Sequence, residues 1–284
     1  VASYPKSGNT WMRAILCSLF FTKEGKFDFK LLNHISNFDH TSKFAFLKNM
    51  NPDDFNKLNE ISVICKYWIE AQKRAKIEEN FAFFKTHSAN VTLNSHQYTN
   101  EQNTAGLIYL VRDPRDVVIS YAKHYRINID KAIHNLKSVN LITWTGDPKK
   151  NSCSVLTSSW DKNYLTWKNL NVPKLFIKYE DLLQHTQQTL NKIMDFFLEN
   201  YNIKFNHKEK LIKNIIETTS FESFKKFEKK QGFNEAPYFY FKSGIAEYFF
   251  RVGKSQQWKN ELTNEQLKDI ENSFSEILQE LEYI

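Results

Sequence analysis

The chain has 284 residues, 41% of them hydrophobic and 15% aromatic, and a formal net charge of +7. That apolar content suffices for a full buried core and excludes an intrinsically disordered chain. No run reaches the ~18 uninterrupted apolar residues of a membrane-spanning helix, and basic residues are interspersed with acidic ones, so neither stable membrane insertion nor a nucleic-acid partner is expected.

The sequence opens on apolar residues 1–4, a strand that ends in the turn Pro5-Lys6-Ser7-Gly8-Asn9-Thr10. Residues ahead of Val1 are expected, because the chain starts within the apolar approach to that turn. Met12, Ile15, Leu16, Leu19 and Phe20 then recur at helical spacing and form one apolar stripe. A strand–turn–helix unit of this composition suits an anion. Gly8 admits the ligand to the backbone, the helix N-terminus points N–H groups at it, and Lys6 adds a charge. Ser7, Asn9 and Thr10 add donors. A nucleoside triphosphatase loop would read G-x-x-x-x-G-K-[ST], whereas here the lysine precedes the glycine. An ordinary capped helix start is the plain alternative.

Further apolar runs at 81–85, 107–112 and 175–179 read as buried strands, each followed by a polar turn, with helical patterns between. This alternation predicts one α/β domain over residues 1–284, with a central parallel sheet of four to five strands flanked by helices. His87 falls just past the second strand, after Lys85 and Thr86, and an imidazole there suits proton transfer near neutral pH. A hydrogen-bonded structural histidine is the alternative. Arg112 ends the third strand, at the carboxyl edge where α/β sheets bind ligands, and a guanidinium there matches a phosphate. A salt-bridged strand end would look the same. Pro114 opens the next helix, and Ser120 follows two turns in.

Helices are expected at 116–125, at 158–169 with Trp160, Tyr164 and Trp167 on one side, and at 182–197. The run Lys225-Lys226-Phe227-Glu228-Lys229-Lys230 reads as a solvated helix face. Residues 229–248 are polar, aromatic and weakly periodic, which predicts a long loop able to act as a lid. Thr263 and Gln266 form a capping box for a last helix that buries Leu267, Ile270, Phe274, Ile277 and Leu281. Cys17, Cys65 and Cys153 are odd in number and far apart, which points to a reducing, cytoplasmic setting and no metal site.

Read together, these segments resemble the PAPS-dependent sulfotransferases, where PAPS is 3′-phosphoadenosine 5′-phosphosulfate. Tyr4-Pro5-Lys6-Ser7-Gly8-Asn9-Thr10-Trp11 is similar to the family's 5′-phosphosulfate loop, a relative of the kinase P-loop. Arg112 through Ser120 is similar to its 3′-phosphate motif, and Lys85-Thr86-His87 to its catalytic segment. Tyr179-Glu180-Asp181 follows the last strand as in the family. Phe249 through Lys254, then Trp258-Lys259, resembles the C-terminal Arg-x-Gly…Trp-Lys segment. The wording, including Gln231-Gly232-Phe233-Asn234-Glu235, looks closest to bacterial members. Val252 stands where cytosolic eukaryotic members usually have lysine, and Gln256-Gln257 where they usually have Gly-Asp.

The resemblance implies sulfuryl transfer from PAPS to a hydroxyl or amine of a small molecule, lipid or glycan by in-line displacement, without a metal. It implies His87 as general base, and Lys85 and Lys6 as the charges around the transferring group. Ser120 would hold Lys6 in the resting complex and also contact the 3′-phosphate. The nucleotide would be bound by Lys6, Ser7, Gly8, Asn9, Thr10, Trp11, Arg112, Ser120, Tyr179, Phe221, Arg251, Val252 and Gly253. Phe233, Tyr238, Phe239, Tyr240 and Phe241, with Tyr125 and Trp144, are candidate walls of an acceptor pocket. No motif singles out the acceptor or an oligomeric state. A non-catalytic nucleotide-binding module and an atypical nucleotide kinase are the alternative readings.

Overall fold

The structure, a computed structural model, describes residues 1–75, 82–143, 153–233, 235–236 and 248–284. The elements that build the site are, in chain order, strand β1 (Ala2–Ser3), helix α1 (Asn9–Phe20), strands β2 (Ser36–Asn37), β3 (Phe84–Lys85) and β4 (Leu107–Val111), and helices α2 (Pro114–Tyr125) and α3 (Trp160–Lys168). Strand β5 (Lys174–Lys178) follows, then helices α4 (Tyr179–Gln184), α5 (Thr186–Tyr201), α6 (Lys208–Thr218), α7 (Phe221–Gln231), α8 (Asn264–Ser273) and α9 (Ser275–Glu280).

The central sheet is parallel, in the order β1–β4–β5. Strand β4 is buried along its whole length, as a middle strand covered on both faces must be. Alternate residues serve opposite layers. Ile108 and Leu110 meet α1 and α5 in one apolar cluster, which includes Met12, Ile15, Leu16 and Ile193. Leu107, Tyr109 and Val111 join the other, with Val117, Tyr121, Trp160, Tyr164 and Trp167 from α2 and α3.

The expected four to five strands reduce to three in this sheet. Among the described residues of the run at 81–85, Phe84 and Lys85 form strand and pair in parallel with β2. The run reaches β1 through a single bridge between Ala2 and Thr86. The Thr86 hydroxyl accepts the Ser88 N–H at 2.9 Å at the carboxyl end of the strand.

The helix expected at 116–125 begins earlier, at Pro114, because Asp113 caps it by accepting the Arg115 N–H at 2.9 Å. The helix expected at 182–197 is two helices that break at His185. His185 leaves the helical region at φ −128 and ψ 44, its N–H still reaching the Asp181 carbonyl, while the Thr186 and Thr189 hydroxyls bond the Leu182 and Asp181 carbonyls. The Thr263–Gln266 capping box is present. The last helix is nevertheless interrupted at Phe274, whose ring packs 5.2 Å from Trp160.

The expected loop at 229–248 starts inside α7, and Phe233 and Ala236 are buried in an aromatic cluster with Phe27, Phe224 and Phe250. Asn234 and residues 237–247 lie outside the described residues, so the lid reading does too, as do Tyr238, Phe239, Tyr240, Phe241 and Trp144.

Candidate active site

A cavity of about 480 Å³ opens where the turn after β1, the ends of β3 and β4, and the segment 249–253 converge. It is lined by Lys6, Gly8, Asn9, Thr10, Trp11, Lys85, His87, Arg112, Ser120, Tyr179, Phe221, Arg251, Val252 and Gly253. Of the residues expected to hold the nucleotide, Ser7 alone does not line it; of the described residues expected to wall an acceptor pocket, Tyr125 lines it and Phe233 does not. Ser7 is fully buried beneath the turn, and its Oγ has no partner.

The turn is built from two left-handed residues, Lys6 at φ +70 and Gly8 at φ +102. Gly8 is the N-cap of α1 and carries no side chain to satisfy that end, so the first N–H groups of the helix stay available to a ligand. A Cβ at Gly8 would come within 2.8 Å of the Tyr179 ring. A side chain there would displace the ring that closes this wall. The left-handed Lys6 is backbone strain held at a binding turn.

Each residue of Arg112-Asp113-Pro114-Arg115-Asp116 has a separate task. Arg112 donates to the Lys6 carbonyl at 3.2 Å and the Lys254 carbonyl at 3.0 Å, and its guanidinium lies 4.3 Å over the Tyr179 ring. Its Nε is buried without a partner. Asp113 caps α2 and pairs with Arg115 at 2.8 Å. Arg115 points away from the cavity, to Glu271 at 2.6 Å and the face of Trp258. Asp116 accepts the N–H groups of Gln256 at 2.6 Å, Gln257 at 2.8 Å and Trp258 at 3.3 Å.

Asp116 therefore fixes the chain just beyond Arg251. Gln256 sits at φ +61, which explains the glycine usual at that place in the family pattern. Gly253 is at φ +65 against the Phe221 ring, which any Cβ would overlap. Upstream, Glu228 of α7 accepts the Phe249 and Phe250 N–H groups at 2.6 and 3.0 Å. Trp11 meets Tyr179 edge-on at 5.9 Å. Trp11, Tyr179 and Phe221 thus form aromatic walls around the cradle.

His87 is positioned by its own backbone as well as its ring. Its Nδ1–H donates to the Ser3 carbonyl at 2.8 Å, which leaves Nε2 as the unprotonated nitrogen. Its carbonyl accepts from Asn163 of α3 at 3.0 Å. Burial, helped by the Lys85 and Lys6 charges, pulls the imidazole down to about 3, so it stays neutral. Asp39 lines the cavity near Lys85 and accepts from Thr86 Oγ1 at 2.8 Å and Tyr98 Oη at 3.2 Å. Burial pushes its carboxyl up to about 6. Nothing in the sequence marks Asp39, because its partners lie tens of residues away.

The Lys6 ammonium lies 3.3 Å from His124 Nδ1 and 4.2 Å over the Phe249 ring. His124 is one helical turn beyond Ser120 on α2, and Ser120 lines the same cavity. Burial, with Arg251, Arg112 and Lys85 adding to it, lowers the Lys6 ammonium to about 7. Among the described residues no three His, Cys, Asp or Glu side chains gather as a metal site, and no helix is long and apolar enough to cross a membrane.

Replacing Asp116 by alanine leaves three backbone N–H groups without their acceptor. The expected loss is on the order of 3 kcal/mol in denaturant unfolding. Amide exchange at residues 256–258 should accelerate with it. Unchanged exchange there would remove the anchoring role.

Comparison with known proteins places this arrangement. The family model "Sulfotransferase domain" matches residues 1–282. The flavonol 3-sulfotransferase of Flaveria bidentis is 27% identical over 284 residues, spanning 98% of this chain and 80% of that protein. The 3-alpha-hydroxysteroid sulfotransferase of Cavia porcellus is 23% identical over 277 residues, spanning 96% and 81%. These relatives are plant and animal proteins, so the likeness is not confined to bacterial members. The fold matches the crystal structure of mouse sulfotransferase SULT7A1 complexed with PAP, with a TM-score of 0.56 at 19% identity over 98% of this chain and 82% of that one. It also matches retinol dehydratase in a complex with retinol and PAP, with a TM-score of 0.60 at 20% identity over 98% and 80%. A family match that runs over all but the last two residues shows that the chain belongs to the sulfotransferase domain family and is a sulfotransferase enzyme.

Proposed function

We propose that the enzyme transfers the sulfuryl group of PAPS to a hydroxyl or amine of a small-molecule, lipid or glycan acceptor, with His87 as the general base. One observation carries this reading. A single cavity holds an anion cradle with several cationic side chains beside a neutral imidazole whose Nε2 is free of its own proton. A module that only bound a nucleotide would have no use for that base. The flavonol and hydroxysteroid sulfotransferases among its relatives are named for small acceptors.

The cavity's residues fit PAPS. Asn9 Oδ1, Trp11 Nε1 and Arg112 Nε belong to lining residues and are buried without partners, and a Cβ at Gly8 would press on the Tyr179 ring. When bound, PAPS supplies the activated sulfuryl group and a nucleotide phosphate as leaving group. Lys6, Ser7, Gly8, Asn9 and Thr10 would hold its 5′ end, where N–H groups and the ammonium offset negative charge. Arg112, Ser120, Arg251 and the backbone at Val252 and Gly253 would hold the 3′-phosphate. Val252 is 42% exposed, so its contribution is through main chain. Trp11, Tyr179 and Phe221 offer ring faces and edges to adenine. His87 Nε2 takes the acceptor's proton, and Lys85 beside it stabilises charge on the transferring group.

The test of the nucleotide assignment is calorimetry with adenosine 3′,5′-bisphosphate (PAP) and with 5′-AMP. Tight binding of PAP and weak binding of AMP is the expected result. Arg112→Ala should weaken PAP on the order of 100-fold, the effect of stripping a buried charge from its partner, and AMP far less. Equal losses for both ligands would remove the 3′-phosphate assignment.

Lys6 adds a proton signature. Its ammonium, lowered to about 7 in the empty protein, is mostly neutral at about pH 8 and must recharge beside bound phosphate. Binding of PAP at that pH should take up about one proton, measured by titration in buffers of different ionisation enthalpy. Affinity should fall as pH rises above about 7. Lys6→Met should abolish the uptake, and uptake that persists in this variant would place the proton elsewhere.

His87→Ala should leave PAP affinity intact and lower sulfuryl transfer by about 10²–10⁴-fold, the usual worth of a positioned base. Correct fold, unchanged PAP affinity and undiminished transfer together would sink His87 as the base.

A further inference from the structure

We propose that Glu235 is a positioning residue for Lys85, and that Arg13 of α1 locks its carboxylate in place for that task. The role of Lys85 in transfer rests on the function proposed above.

Glu235 lies in the short segment after α7, where Phe233 and Ala236 are buried on either side of it. Both of its oxygens accept from Arg13 Nη1, at 2.7 and 2.8 Å. Arg13 itself has no freedom. Its side chain is 2% exposed, its Nε donates to the Ile35 carbonyl at 2.9 Å, and its Nη2 donates to the Leu32 carbonyl at 2.9 Å. A guanidinium held by two main-chain carbonyls dictates where the carboxylate sits. Oε2 is thereby placed 3.9 Å from Lys85 Nζ. Glu235, Lys85 and His87 all line the cavity.

The charges alternate as Arg13, Glu235 and Lys85, so the carboxylate screens Lys85 from a neighbouring buried cation and gives its ammonium a fixed partner. Among the described residues lining the cavity, Asp39 is also a carboxylate near Lys85, but its oxygens are already engaged by Thr86 and Tyr98. Burial raises Asp39 and on its own would raise Glu235 as well, but Lys85 and Arg13 outweigh burial at Glu235 and hold it at about 2. Glu235 is therefore the more firmly ionised of the two, and it is the one within ion-pair distance of Lys85. The same contacts join three parts of the site: the helix of the anion cradle, the strand end that carries Lys85 and His87, and the segment after α7.

The test uses the full-length protein with its lysines reductively methylated with carbon-13, which keeps their charge. Lys85→Arg identifies the Lys85 signal. In the nucleotide-free protein, Glu235→Gln should lower the Lys85 titration midpoint, with the side chains of Asp39, Lys6, His87 and Arg13 left in place around it. Hydrolysis of PAPS to PAP and sulfate, with water as the acceptor, should slow about tenfold or more in kcat while PAP affinity holds. In a Lys85→Met background, Glu235→Gln should slow it no further. Glu235→Asp keeps the charge but withdraws it by one methylene, so it should fall between the two, and it carries the same measurements if Glu235→Gln does not fold. A Lys85 midpoint unmoved by either substitution, or losses that add in the double variant, would overturn the proposal. The Lys85 midpoint is read without nucleotide, so failure of PAP to bind would count against the proposed function and not against this pairing.

Discussion

The site is organised by mutual repulsion among cations held in one poorly solvated cavity. Lys6 feels burial, Arg251, Arg112 and Lys85, and responds by dropping to about 7. His87 feels burial, Lys85 and Lys6, and stays neutral at about 3. Such an arrangement is unfavourable until an anion arrives, and that cost is what makes the cavity receptive to one. The same field keeps His87 neutral, because a protonated imidazole would add one more charge to the cluster.

Much of the surrounding structure holds these groups against their tendency to separate. Arg112 is tied to two carbonyls and lies over Tyr179. Asp116 gathers three N–H groups of the chain after Arg251, and Glu228 gathers two before it. Both carboxylates hold main chain, not ligands. They anchor from outside the segment that bears Arg251 and Gly253, so its short loop needs no regular structure of its own. The left-handed Lys6 and Gly8 serve the cradle likewise, since backbone aimed at a ligand cannot also close a regular turn.

The sheet explains why the contributing residues meet at one edge. Strands β1, β4 and β5 run in parallel, so the turn after β1, Arg112 after β4 and Tyr179 after β5 emerge on the same side. The Lys85-Thr86-His87 segment joins them through a single bridge, and His87 follows directly after it.

Local chemistry made much of this legible beforehand. A glycine between Ser7 and Asn9, an arginine at a strand end and a histidine after Lys-Thr each state their geometry within a few residues, and so do the apolar stripe of α1 and the Thr263 cap. The sequence by itself determined the parallel α/β layering and the glycine turn that opens α1. Only the tertiary structure decided that Lys6 lies against His124, that Asp39 and Glu235 lie near Lys85, and that Asp116 holds residues 256–258. It also decided that the sheet narrows to three strands and that the last helix breaks at Phe274. These outcomes depend on pairings between residues as far apart as Arg13 and Glu235, and no local periodicity or spacing encodes which distant carboxylate a buried cation will find.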